Sequence, residues 1–157
     1  MSPKIKWYIL AMVFIATGLN FLDRQVLSMT IIKIQEELSI SDVQYGWENT
    51  GFLVNYALMF TIGGRLIDKF GGKKGLGFSV GIWSFASVLH GVMNSFSQLL
   101  GFRFLLGVGE GACFPGAAKT VYEWFDEKER ALANGIAIGG AAIGAVAAPP
   151  LTILIAG

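Results

Sequence analysis

The chain has 157 residues, 54% of them hydrophobic and 15% charged, with a formal charge of +1. Its charges are clustered and its mean hydropathy is positive, which excludes an ordinary soluble domain and leaves apolar runs of the roughly 20 residues that a membrane-spanning helix needs. The near-neutral charge gives nucleic acid no footing, the single cysteine, Cys113, excludes an internal disulfide, and no Cys/His spacing suits a metal.

Lys4 and Lys6 before an apolar run imitate a secretory signal. The run continues through Asp23 and Arg24 without a small-residue cleavage site, so it reads as an uncleaved first membrane helix. That helix is expected over residues 7–34, with Trp7 at headgroup level. Asp23 and Arg24 then fall roughly 25 Å along it, past the bilayer middle. Thr17, Asn20, Arg24 and Ser28 recur at helical spacing as one polar stripe with Asp23 at its edge. Such a stripe cannot face lipid.

The first external connection carries Glu36, Glu37 and Asp42, with Lys33 its cation. Ser41 or Asp42 suits an N-cap for a second helix over residues 43–67. Tyr45, Asn49, Phe52 and Tyr56 share one face of that helix, and Gly51, Gly63 and Gly64 allow close helix approach. The turn over residues 64–74 then carries Arg65, Lys69, Lys73 and Lys74. By the positive-inside rule these cations hold it on the cytoplasmic face. The N-terminus is therefore expected in the cytoplasm, and the chain as a multi-pass protein of the plasma membrane, the inner membrane in a bacterium. Gly71 and Gly72 supply the backbone conformations of a tight reversal. Asp68, at a helix end where its charge opposes the dipole, is expected to serve a neighbour.

A third helix over residues 76–93, with Trp83 and His90, reads as lipid-facing scaffold. A fourth over residues 98–124 carries Arg103 and Glu110, with a kink expected at Pro115. After a loop of mixed charge through Arg130, a fifth helix from Ala131 contains two G-x-x-x-G pairs, Gly135 with Gly139 and Gly140 with Gly144. Pro149 and Pro150 mark a further kink, and Gly157 falls where this helix reaches the outer surface. The fold class is all-α, a polytopic bundle of about five membrane helices within one domain, residues 1–157.

Asp23, Arg24, Arg103 and Glu110 each cost about 2.5 to 3.5 kcal/mol at the middle of a membrane helix, on the order of 10 kcal/mol together. Arg103 and Glu110 are seven residues apart, on one face about 10 Å apart along the axis, so each is expected to find its partner on another helix: Asp23 for Arg103, and Arg24 or Asn20 for Glu110. These four charges sum to zero. Protonation of Asp23 or Glu110 makes the set cationic and able to hold an organic anion, and release of the anion lets the freed carboxylate pair again with an arginine. The planar fork of arginine suits a carboxylate. The run Gly107-Val108-Gly109-Glu110-Gly111-Ala112 fits a dinucleotide fingerprint in letters alone; without a preceding strand it reads as a close-packing helix face. Cys113 reads as a small buried hydrophobe.

Asn20-Phe21-Leu22-Asp23-Arg24, the 64–74 turn, residues 103–111, Glu123-Trp124-Phe125, Lys128-Glu129-Arg130 and residues 144–150 together resemble the anion:cation symporter branch of the major facilitator superfamily. The similarity covers essentially the whole chain, and the pattern is nearest to bacterial transporters of hexuronates, galactonate and similar sugar acids. The resemblance implies a proton-coupled symporter of an organic anion, with protons and the lipid bilayer as partners and no cofactor. It implies proton coupling at Asp23 and Glu110, substrate contact at Arg24 and Tyr56, a cavity ion pair at Arg103, and a conformational loop with Gly64, Asp68, Gly71, Lys73 and Lys74. Asn20 and Asn49, on the polar stripes, are placed with the substrate-binding residues. The family has two six-helix halves, so a missing C-terminal half is expected. An antiporter or efflux carrier, and a structural membrane fragment without transport, are the other readings. An intramembrane enzyme lacks its residues, since His90 and Cys113 stand alone on different helices.

Overall fold

The computed structural model describes residues 3–156, so the expected terminus at Gly157 lies outside them. The elements are α1 (Pro3–Leu38), α2 (Asp42–Phe70), α3 (Gly72–His90), α4 (Phe96–Gly111), α5 (Cys113–Trp124) and α6 (Glu127–Ala156). Ser41 caps α2 reciprocally: its Oγ accepts from the Gln44 N–H at 3.3 Å while the Gln44 Oε1 accepts from the Ser41 N–H at 3.0 Å.

The fourth expected helix is two pieces. Pro115 has no N–H for the Gly111 carbonyl and crowds it, so the ladder breaks at Ala112. Its φ of −86° and ψ of −9° stay right-handed, and the Gly116 N–H resumes the ladder on the Ala112 carbonyl at 3.0 Å. α4 and α5 therefore run as one bent traverse. By contrast α6 continues through Pro149 and Pro150 as helix. By length and composition α1, α2 and α6 are long and apolar enough to cross a membrane. The 19 residues of α3 span roughly 28 Å, close to a hydrocarbon core of about 30 Å.

α1 packs along α6, α4 lies between α2 and α3, and α5 joins the two groups. The α1–α6 seam exists because both helices are bare where they cross: a Cβ on Gly140 would strike the Phe14 carbonyl, and one on Gly144 the Gly18 carbonyl. Gly135 and Gly139 have no neighbour within 4 Å of such a Cβ, so only the second expected pair is a packing seam. In α4, a Cβ on Gly111 would lie 2.7 Å from the Tyr56 carbonyl of α2, and one on Gly109 2.6 Å from the Trp83 nitrogen of α3. The run with dinucleotide-like spacing is thus a close-packing face on two sides. Gly63 is also tight, 3.0 Å from the Ala112 Cβ, whereas Gly51 and Gly64 make only ordinary contacts.

One apolar cluster gathers Leu10, Val13, Val121, Phe125 and Ala137, and another gathers Phe52, Trp83, Ala86, Leu106 and Cys113. Trp83 is buried, and Ser79 Oγ donates to the Gly109 carbonyl at 2.6 Å. α3 is therefore not only lipid-facing scaffold; one face belongs to the core. At the α2–α3 reversal, Gly71 has φ +88°, a value that glycine adopts without steric cost. Gly72 is already helical and is small for another reason: a Cβ there would lie 2.6 Å from Thr120 Oγ1. Its N–H donates to both carboxylate oxygens of Glu123, at 3.2 and 3.1 Å, placing an anion at the positive end of α3.

Candidate functional site

Glu110 is fully buried and accepts from Arg24 Nε at 2.7 Å, while Arg24 keeps 23% of its side chain exposed. Arg24 Nη2 also donates to Asn20 Oδ1 at 3.4 Å, and its guanidinium carbon lies 4.2 Å from the Tyr56 ring centroid. Asn20, Arg24, Tyr56 and Glu110 therefore meet at one place, where α1, α2 and α4 converge. Thr17, lower on the same stripe, instead faces α6 and donates to the Ala137 carbonyl at 2.6 Å. Glu110 Oε1 and Asn20 Nδ2 are buried without a hydrogen-bond partner among the described residues. A buried carboxylate with one oxygen engaged and one bare can take a proton on the bare side, and an arginine with solvent access can hand its charge to an incoming anion.

The other expected pairing is not found. Arg103 pairs with Glu48 of α2, both buried, and its guanidinium carbon lies 4.5 Å from the Phe52 ring centroid. Asp23 is held instead by α3, accepting from Ser87 Oγ at 2.9 Å. The reason is the rotation of α2. Glu48, Phe52 and Asn55 are among its buried residues, at i, i+4 and i+7, a face turned away from Asn49 that shares only Phe52 with the expected stripe of Tyr45, Asn49, Phe52 and Tyr56. Asn49 is exposed. Sequence reasoning passed over Glu48, although an acid in helical register with Phe52 and Asn55 is the signal that finds it. With Glu48 the intramembrane set holds three acids and two arginines, so it is net negative rather than neutral when all are ionised.

Lys119, also passed over, lies 3.4 Å from Asp68, so the neighbour that Asp68 serves is on α5. Lys73 and Lys74 are exposed. This end of the bundle also holds the Lys6–Glu129 pair, at 2.6 Å. Arg130 stacks on Tyr122 at 3.9 Å from its ring centroid.

Two cavities flank the charged centre. One of about 450 Å³ lies between α1, α2, α5 and α6, against Thr17, Phe60, Phe114 and Asn134. The other, of about 270 Å³, lies between α1, α3 and α4, against Asp23, Thr30, Ser87, His90 and Arg103. Among the described residues no group of three or more His, Cys, Asp or Glu could hold a metal ion.

Residues 13–157 match the family model described as Major Facilitator Superfamily. The chain is 34% identical over 139 residues to the "Probable galactarate/D-glucarate transporter GudP" of Bacillus subtilis, covering 85% of this chain and 30% of that protein. It is 32% identical over 149 residues to the hexuronate transporter of Escherichia coli, covering 95% of this chain and 34% of the relative. Among solved structures, an inward-facing, unoccupied bacterial homolog to the human lysosomal transporter Spinster superposes with a TM-score of 0.87 at 32% identity, over 94% of this chain and 31% of that one. The chain thus spans about a third of the length of these relatives.

Proposed function

Because the chain belongs to the Major Facilitator Superfamily, a superfamily of transporters rather than enzymes, we propose that it is the N-terminal bundle of a proton-coupled symporter for an organic anion such as a hexuronate or aldonate. The observation that carries this reading is the Arg24–Glu110 pair, a sealed carboxylate behind a half-open arginine, in a chain whose relatives are named for sugar acids. Protonation of Glu110 frees Arg24 from its counter-charge. The guanidinium then receives a substrate carboxylate through two parallel N–H donors, with Asn20 and Tyr56 beside it to read hydroxyls. When the anion leaves, Arg24 and Glu110 pair again and the proton is released. Asp23 is the second coupling carboxylate. Asn49, exposed on α2, is a further substrate contact in this reading.

The reading places the Lys69, Lys73 and Lys74 end in the cytoplasm, since positive loops stay inside, with the bundle in the plasma membrane. It also requires a C-terminal half, because alternating access needs one repeat to move against the other. Gly64, Asp68, Gly71, Lys73 and Lys74 form the loop that biases the conformation. The Asp68–Lys119 contact and the Glu123 cap on Gly72 support that role by tying α2, α3 and α5 together.

The test is uptake of labelled galacturonate and galactarate by the full-length protein in proteoliposomes under an imposed proton gradient. Accumulation with protons higher outside supports symport. Accumulation only with the gradient reversed assigns antiport, and anion flux indifferent to the gradient removes the coupling.

A further inference from the structure

His90 is the only histidine in the chain and has no part in the anion site. Its Nδ1 lies 2.7 Å from the Ala86 carbonyl. A carbonyl only accepts, so Nδ1 carries the hydrogen, and Nε2 of the neutral ring is a bare acceptor. That Nε2 is buried without a hydrogen-bond partner among the described residues, as is Arg103 Nη1. Both residues line the 270 Å³ cavity with Asp23 and Ser87. Bare polar atoms around a space many times the roughly 30 Å³ that a water occupies call for water to satisfy them.

The placement is directional. Ser87, which holds Asp23, and His90 are three residues apart on one face of α3, so the ring sits roughly 4.5 Å beyond the serine along the axis. His90 closes α3, and the cavity continues past it along Val26, Thr30 and Ile34 of α1 and Met93, toward the end of the bundle opposite the basic loop. The ring thus stands between that surface and Asp23.

We propose that His90 is a proton-relay residue for Asp23, passing protons between the α3–α4 end of the bundle and the carboxylate through waters of this cavity. Nε2 takes a proton from water at the rim and the ring becomes imidazolium. Nε2–H then gives that proton, through cavity water, to the Asp23 carboxylate; the ring returns neutral with Nδ1–H unchanged and Asp23 becomes a neutral acid. The groups facing the ring suit a transient charge. Asp23 on α1 draws the proton inward, Arg103 on α4 opposes a lasting imidazolium, and Glu48 on α2 accepts from Arg103 through one carboxylate oxygen while its other oxygen has no partner among the described residues. The Phe102 ring, with its centroid 6.0 Å away, walls one side.

This relay rests on the symport reading for its purpose but not for its first test. The imidazole nitrogens of His90 are read by NMR on the full-length protein in detergent, assigned by their loss in His90→Gln. The Nδ1–H tautomer is expected in the neutral form, and Asp23→Asn is expected to change the imidazole titration curve. A curve identical with and without Asp23 overturns the relay whatever the protein transports. In the full-length protein, His90→Gln is expected to slow gradient-driven uptake by about tenfold or more, as loss of a positioned proton carrier does, while anion counterflow stays at the parental rate. External imidazole is expected to restore part of the driven uptake. Parental driven uptake by His90→Gln, or equal loss of uptake and counterflow, overturns it. A parental protein without any proton-driven uptake removes the symport reading instead, and the NMR result then stands on its own.

Discussion

Arg24 with Glu110 and Arg103 with Glu48 are the same chemical pair in two surroundings. Both glutamates are sealed and both arginines rest on aromatic rings of α2, Tyr56 and Phe52, one turn apart. The arginines differ: Arg24 is 23% exposed and Arg103 6%. Removing one partner of a sealed pair leaves an uncompensated charge, at a cost of about 3–5 kcal/mol. A pair with one half in contact with solvent can be opened if an arriving anion replaces the lost counter-charge. The first geometry suits a lock between α2 and α4, the second a binding site.

The comparison is broken most directly at Glu48. Glu48→Ala is expected to destabilise the bundle by about 3–5 kcal/mol, read as a fall in thermal unfolding temperature in detergent, and Glu48→Leu with Arg103→Met to recover much of it. Unfolding of Glu48→Ala at the parental temperature would mean that the sealed pair locks nothing.

Next comes the open pair. In the full-length protein Arg24→Ala is expected to weaken anion binding by about 2–5 kcal/mol, measured by calorimetry, with a smaller loss of stability than Glu48→Ala. Arg24→Lys is expected to recover little, because an ammonium lacks the planar fork. Glu110→Gln is expected to keep counterflow and lose gradient-driven uptake. Driven uptake at the parental rate in Glu110→Gln with Asp23→Asn would return both pairs to a structural role.

The seam that holds the helix of Arg24 sharpens the contrast at lower amplitude. Gly144→Val drives a side chain into the Gly18 carbonyl and is expected to cost about 1–3 kcal/mol. On the same helix Gly139→Val, which meets open space, is expected to stay within about 0.5 kcal/mol of the parent. Similar unfolding temperatures for the two would contradict the seam.

The smallest effect is expected at the loop. Asp68 is 72% exposed and 3.4 Å from Lys119, so Asp68→Asn should alter stability by less than about 1 kcal/mol. It is nonetheless expected to impair transport in the full-length protein while leaving anion binding intact. A matching loss of binding would place Asp68 with the substrate site rather than with the loop.

Much of this was legible from local chemistry. Apolar run lengths located the helices, and Ser41 and Gly71 marked their ends. The helical recurrence of Asn20 and Arg24 located a polar face, and Arg24 with Glu110 was one of the pairings expected. The break at Ala112 was foreseen as a kink at Pro115, three residues late, because a proline disturbs the carbonyl four residues before it. Glu48 and Lys119 were hidden for a different reason. Each is a charge whose importance depends on which way its helix is turned, and adjacent helical residues point about 100° apart.

What the sequence determined by itself was therefore everything set within one segment: an all-helical membrane bundle, the clustering of its charges, and the residue types at its centre. Only the tertiary structure decided which acid each arginine meets. α2 is rotated so that Glu48 rather than Asn49 is buried, and Arg103 pairs with it while Asp23 turns to Ser87. That rotation goes with the close approach of Gly107 to Phe52 and Asn55 and of Gly111 to Tyr56, contacts between distant segments whose pairing neither segment specifies alone.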